Sequence, residues 1–173
     1  MPVIKHKNQR VGVFIDVQNL YHSAKNLYKA KVNFKEILKT AIAGRQLVRA
    51  IGYVISTETG EEKMFFDALT KLGIETKEKE LQVFLGGAKK ADWDVAIAVD
   101  SLRLAPSLDA VIICSGDGDF IPLVKQLQSM GKQVEIIAFS KSASSKLQEA
   151  ADDFVDLCEE PEKYLLKMRN RKK

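Results

Sequence analysis

Two cysteines and two histidines among 173 residues leave little soft-ligand or nucleophile chemistry to assign. Cys114 and Cys158 both stand in apolar contexts, so neither a disulfide framework nor a thiolate metal site is indicated. His6 and His22 lack a Ser or Cys partner motif, which sets aside the usual covalent hydrolases; His22, beside Tyr21, reads as structural or at most a substrate contact. No apolar run approaches the length that spans a bilayer, and Met1 to Arg10 lacks the apolar core of a signal peptide. Together these absences point to the cytoplasm and away from a membrane. There is no Walker phosphate loop and no Gly-x-Gly-x-x-Gly fingerprint, so nucleotide-cofactor chemistry is not supported. Four prolines and 46% apolar residues exclude a largely disordered chain, and the length suits one domain with a sizeable core.

Acid placed at the ends of apolar runs is the positive signal. Val111-Ile-Ile-Cys-Ser-Gly-Asp-Gly-Asp-Phe120 runs from a buried strand straight into Ser115, Gly116, Asp117 and Asp119. Val11-Gly-Val-Phe-Ile15 leads likewise into Asp16, with Asn19 three residues later. In an open α/β sheet, strand ends of this kind face the ligand crevice.

Strand and helix patterns alternate through the chain. Strands are expected at 11–16, 48–56, within 74–84, at 110–115, at 134–139 and, as a last edge strand, at 154–157. Helices are expected at 19–31, 34–43, 61–72, 92–104, 120–130 and 144–151. Gly44 and Gly73 serve as stop signals, Gly86-Gly87 as a loop, and Pro161 opens a terminal helix. The fold class is therefore α/β, with a doubly wound, mostly parallel five- to six-stranded sheet flanked by helices. Residues 1–9 form a basic extension, 10–160 the domain, and 161–173 a basic C-terminal helix and tail. The Ser-rich loop 140–145 follows a strand, so Ser142 belongs at the same carboxyl edge as a substrate contact.

Three or four carboxylates at one edge repel one another by several kcal/mol unless a cation offsets them. Oxygen ligands of this type suit Mg²⁺ or Mn²⁺, which polarise a phosphoryl oxygen and acidify bound water. Taken singly, each acid has a plainer role as a helix cap. Asp119 precedes a helix it could cap, Asp92 or Asp94 could cap the preceding one, and Asp117 comes too early to cap from the favourable position. Asp94 and Asp100 lie roughly 120° apart on an ideal helix, so both cannot point at one ion, and Asp94 at the helix start is the better placed. An EF-hand reading of Asp117-Gly-Asp119 fails, because Pro, Leu and Val fill the later ligand positions.

Charge is divided unevenly. Residues 1–49 carry ten Lys/Arg against two acids, residues 163–173 six bases and no acid, and residues 50–162 eleven bases against 21 acids. Basic ends around an acidic middle suit a phosphate backbone held about a metal centre, although each lysine singly reads as a solvated helix face. Lys89 and Lys90 are candidate phosphate contacts. Trp93 reads as a core residue or as a surface on which a base stacks.

Three motifs together resemble one family. Phe14-Ile-Asp-Val-Gln-Asn19, Asp94-Val-Ala-Ile-Ala-Val-Asp100 and Ser115-Gly-Asp-Gly-Asp-Phe120, followed by Pro122-Leu-Val and Gly131-Lys, are similar to the NYN-domain family of the PIN-like ribonuclease superfamily, in its LabA-like bacterial branch. The resemblance covers about residues 10–157. It implies a PIN-like fold and a Mg²⁺- or Mn²⁺-dependent RNA endonuclease. Asp16, Asp94, Asp100, Asp117 and Asp119 match the metal-ligating acids, Asn19 the polar residue accompanying the first, and Ser115 the hydroxyl before the strand-end pair. The expected function is thus hydrolysis of single-stranded RNA, with Asn19 and Ser115 contacting water or phosphate. A binding or regulatory module that keeps the acids without turnover is the rival. A phosphatase is disfavoured because Gln18 stands where an Asp-x-Asp nucleophile motif needs its second acid. The oligomeric state is open, a homodimer included.

Overall fold

The computed structural model describes residues 3–57, 59–60, 62–80, 82–83, 89–90 and 92–166, with backbone alone for 82–83 and 89–90. The chain runs β1 (Arg10–Asp16), α1 (Val17–Tyr28), β2 (Lys31–Val32), α2 (Phe34–Ile42), β3 (Gln46–Ser56), α3 (Lys63–Lys71), β4 (Glu75–Glu80), β5 (Gln82–Val83) and β6 (Lys89–Lys90). It continues through α4 (Asp94–Leu104), β7 (Ala110–Cys114), α5 (Ile121–Ser129), β8 (Gln133–Ala138), α6 (Ser145–Ala150), β9 (Asp153–Asp156), α7 (Pro161–Tyr164) and β10 (Leu165–Leu166).

Six strands form one sheet in the order β4-β3-β1-β7-β8-β9, every neighbouring pair parallel. The two central strands owe their position to composition. Apolar residues on both faces of Val11–Ile15 and Ala110–Cys114 require cover on both sides, and these residues are buried throughout. Alternation then sorts them. Val11, Val13 and Ile15 face the core built with α1, α2 and α3, whereas Phe14, Val111 and Ile113 face the core built with α4, α5 and α6.

The doubly wound reading therefore holds, with six strands in a fully parallel main sheet. The chain leaves β1 in one direction through β3 and β4, then returns through α4 to build β7, β8 and β9 on the other side. The reversal falls between β1 and β7, the place where such sheets open a crevice.

Two differences from the expected elements have local causes. The terminal helix is a single turn, after which Leu165–Leu166 pairs antiparallel with Lys31–Val32. Burial of Tyr164, whose hydroxyl hydrogen-bonds Thr40 at 2.9 Å, holds that segment on the body. The Gly86-Gly87 loop and the basic residues beyond Leu166 lie outside the described residues. At the opposite, amino-terminal edge, Arg45 makes a buried two-pronged pair with Glu135 at 2.8 and 2.9 Å, and Lys5 reaches Glu135 at 3.5 Å. Among the described residues, no helix is long and apolar enough to cross a membrane.

Candidate metal centre

Parallel register sets Ile15 beside Cys114, so the next residues, Asp16 and Ser115, emerge side by side. Asp16 is only 9% exposed. Its Oδ2 accepts from Ser115 Oγ at 3.2 Å, and its Oδ1 accepts from the Asn19 amide at 3.3 Å, capping α1. Asn19 returns the tie: its Oδ1 accepts from the Gly116 amide at 3.0 Å. Ser115 Oγ in turn accepts from the Asp117 amide at 3.2 Å. Two strand ends are thus bracketed by three polar side chains, which fixes the loop that carries the remaining acids. Gly116 is required there for a steric reason. A Cβ at that position would sit 2.8 Å from Ala143 Cβ and 2.9 Å from Ala143 Cα, in the Ser-rich loop that folds over it.

The capping roles differ from those the sequence suggests. Asp117, not Asp119, is the cap: its Oδ1 accepts from the Asp119 amide at 2.9 Å and opens a short 3₁₀ turn, Gly118–Phe120, ahead of α5. That extra turn moves the cap two residues upstream. Asp119 lies within the turn and makes no cap to α5, which starts without a side-chain cap. Nor does Asp92 or Asp94 cap α4, whose N-cap position is Trp93 with no side-chain bond.

Freed of that work, Asp94 points across the crevice. One carboxylate oxygen from each of Asp94, Asp117 and Asp119 lies within 4.8 Å of the others. Burial, then the charges of Asp117, Asp92 and Asp16, push the Asp94 carboxyl from its ordinary 3.8 up to about 7. The N-terminal turn of a helix favours an anion by only about 0.3–1 kcal/mol, too little to undo this repulsion. Asp16 is raised as well, chiefly by burial; its bonds from Asn19 and Ser115 offset part of that, and the charges of Asp117 and Asp92 add to it. The donor set of three carboxylates, with no sulfur or imidazole among them, fits a hard divalent cation.

A cleft of about 290 Å³ is lined by Asp16, Asp94 and Asp117, with Asp119 outside its lining. Asp16, Asn19, Asp94 and Asp117 form its floor, and Trp93 and Asp92 one wall. The facing wall is α1, which contributes Gln18, His22, Ser23 and Asn26. Gln18 and His22 are in contact at 3.0 Å, and Ser142 Oγ is 2.8 Å from Ser23 Oγ, closing the rim. Of this wall only His22 is singled out by sequence, as a substrate contact at most; Gln18, Ser23 and Asn26 are not expected there as lining residues. Its signal was present, because Gln18, His22 and Asn26 recur at four-residue spacing on the side of α1 away from buried Val17, Leu20 and Ala24. Asp92 also lines the cleft and acts on both raised acids, although the sequence offered it only a capping role.

Asp100 is not brought into this group. Tyr53 and Lys77 each donate to its Oδ2 at 2.7 Å and Arg103 to its Oδ1 at 3.4 Å, which makes it a buried structural acceptor between α4 and the strands β3 and β4. The ligand role that the resemblance implied for it is corrected accordingly: its oxygens are already engaged by cations and a phenol. Lys89 and Lys90 form β6, paired antiparallel with β5, and their side chains lie outside the described residues.

A family model for the NYN domain matches residues 10–158, the span that carries every acid of the cleft. The chain belongs to the NYN domain family. With that membership come the PIN-like nuclease superfamily and an acidic cluster compatible with a divalent metal. This NYN chain is 23% identical to the Low amplitude and bright protein LabA of Synechococcus elongatus, over 86% of its own length and 83% of that protein. It is 26% identical to an uncharacterized protein of Methanocaldococcus jannaschii, covering 95% of itself and 62% of that longer protein. Among solved structures, a protein of unknown function from Vibrio parahaemolyticus has the same fold: TM-score 0.84 at 29% identity, over 95% of this chain and all of that one.

Proposed function

We propose that this NYN domain is a metal-dependent endoribonuclease that hydrolyses phosphodiester bonds of single-stranded RNA in the cytoplasm. The observation that carries the reading is the convergence of Asp94, Asp117 and Asp119 within 4.8 Å at the reversal point of the sheet, with Asp94 driven up to about 7. A buried structural network would pair such charges, as the chain does elsewhere at Arg45–Glu135. Here Asp94 and Asp117 face an open cleft, with Asp119 beside them, the arrangement that favours a cation and a phosphate.

Asp94, Asp117 and Asp119 would hold Mg²⁺ or Mn²⁺, with Asp16 set behind them. When bound, such an ion supplies Lewis acidity toward a phosphoryl oxygen and the attacking water. The protein's own contribution is positional. Ser115 and the Asn19 amide fix the Asp16 carboxylate, and the Asp119 amide fixes one oxygen of Asp117, leaving the other free to face the cleft. Across the cleft, Gln18, His22 and Asn26 offer donors that would orient ribose or phosphate.

The test is cleavage of end-labelled single-stranded RNA by purified protein in Mn²⁺, Mg²⁺ or EDTA, beside Asp16→Asn and Asp117→Asn variants. Cleavage should require the metal and fall by at least roughly a hundredfold in Asp117→Asn. Cleavage that ignores chelation, or survives both substitutions, would overturn the mechanism. RNA binding with no cleavage would instead mark a binding module.

A further inference from the structure

A second groove begins where the first ends. It measures about 440 Å³ and shares Asp92 and Trp93 with the acidic cleft, then runs outward between α4 and the edge strand β4. Strand alternation explains its walls. Along Glu75–Glu80 the two lysines, Lys77 and Lys79, fall on the face toward α4, while Glu78 and Glu80 fall on the opposite face. The side-chain bonds agree, since Lys77 reaches Asp100 on α4 at 2.7 Å and Lys79 reaches the Asp92 carbonyl at 3.3 Å. From α4 the groove receives Val95 and Val99, which are 76% and 55% exposed and leave one strip of this helix apolar without cover.

Trp93 is the ridge between the two spaces. Its indole N–H donates to the Val54 carbonyl at 3.1 Å, and its ring tilts against Tyr53 at 5.4 Å, so the side chain is held in place. Lys79 Nζ stands 5.3 Å from the ring centroid. An aromatic ridge with a cation above it, continuous with the acidic cleft and followed by apolar side chains, is the sequence of surfaces that successive nucleotides of a single strand need. We propose that this groove is the path of the RNA strand beyond the scissile phosphate, with Trp93 and Val99 against a base or ribose and Lys79 on the next phosphate. This rests on the proposed RNA substrate. Lys77 is paired with Asp100, so the groove's cation for a phosphate is Lys79; its place over the Trp93 ring, and the continuity with the acidic cleft, favour a nucleic acid over a protein partner.

Trp93 is the chain's single tryptophan, so its emission reports on this ridge alone. In an Asp117→Asn background that holds turnover down, a six-nucleotide single-stranded RNA should quench that emission saturably, and bind more tightly than a dinucleotide. Lys79→Glu should weaken the six-nucleotide RNA about tenfold or more and lower the log-affinity versus log-salt slope by about 0.7, the share of one phosphate contact. Lys125→Glu, the same charge change at an exposed position on α5, should leave affinity within about twofold, and circular dichroism should show both variants folded.

Unmoved Trp93 emission with a silent Lys79→Glu, in a protein that still binds and cleaves RNA, overturns the groove and leaves the nuclease reading standing. Quenching without metal-dependent cleavage by the native chain keeps the groove and removes the nuclease. Absence of any RNA binding removes both. If Val99→Glu changes the sedimentation coefficient while RNA affinity holds, the groove is a protein interface and the proposal falls.

Discussion

Asp94 and Asp100 stand on one helix, six residues apart, and meet opposite surroundings. Asp94, in the first turn, faces Asp117, Asp119 and the charge of Asp16, and its carboxyl is pushed up to about 7. Asp100, nearly two turns on, faces Tyr53, Lys77 and Arg103. Burial alone would raise Asp100 too, yet the bonds from Lys77 and Tyr53 more than offset it and hold the group below its ordinary value. The difference lies in the partners, since both side chains share a helix and a chemistry. A carboxylate given cations by its own fold is finished as a structural element. One given only other carboxylates is left in need of a ligand. The contrast separates a site from a salt-bridge network without reference to any bound ion.

The widest expected gap between the two acids is in activity. Asp94→Asn should lower the metal-dependent cleavage rate by roughly 10²–10³-fold, because one of three converging charges is lost while the fold is kept. Asp100→Asn should change it by less than about tenfold, through slight repositioning of α4. Initial rates over a Mn²⁺ titration measure both. Equal losses in the two variants would break the comparison and return Asp100 to the metal centre.

Stability should reverse that order. Asp100→Ala strands the Tyr53 hydroxyl and the Lys77 ammonium against the core, and breaking such a buried pair costs about 3–5 kcal/mol. Lys77 is 38% exposed at its side chain and can turn to water, so a loss of about 2–3 kcal/mol is expected in urea unfolding. Lys77→Ala should cost less than Asp100→Ala, because Arg103 and Tyr53 remain on the carboxylate.

The fold, and the gathering of the candidate acids at one sheet edge, are legible in the sequence for one physical reason: both depend on composition and spacing along short segments. The all-apolar Val11–Ile15 and Ala110–Cys114 need a two-sided core, and that need places them at the centre of a parallel sheet with Asp16 and Asp117 at one edge. Helical geometry likewise ranked Asp94 above Asp100. What sequence reading missed depends on chain encounters without local periodicity. A 3₁₀ turn inserted before α5 moved the cap from Asp119 to Asp117. The ribbon of Lys31–Val32 with Leu165–Leu166 uses two residues from each strand, too few to show alternation. The Lys77–Asp100 pair joins two elements 23 positions apart, and nothing local to either marks the other.

The smallest expected effect, and the one that tests the electrostatic contrast most directly, is the pH dependence of the metal-free protein. Asp94 binds its proton more tightly folded than unfolded, so between about pH 4 and 7 the folded state holds a proton that the unfolded chain has lost. Stability therefore falls as pH rises through that window, and the ionised form is penalised above it. The full shift would overstate the cost, since Asp94 is partly open to solvent and water screens it; about 1–2 kcal/mol is expected. In EDTA at pH 8, Asp94→Asn should accordingly melt several degrees higher than the native chain, and at pH 4 the two should coincide. Adding Mn²⁺ at pH 8 should raise the native melting temperature more than that of the variant, because only the native chain keeps all three carboxylates. A variant that melts lower than the native chain in EDTA at pH 8 would mean that Asp94 is stabilised by partners, as Asp100 is, and the two ends of α4 would no longer differ in kind.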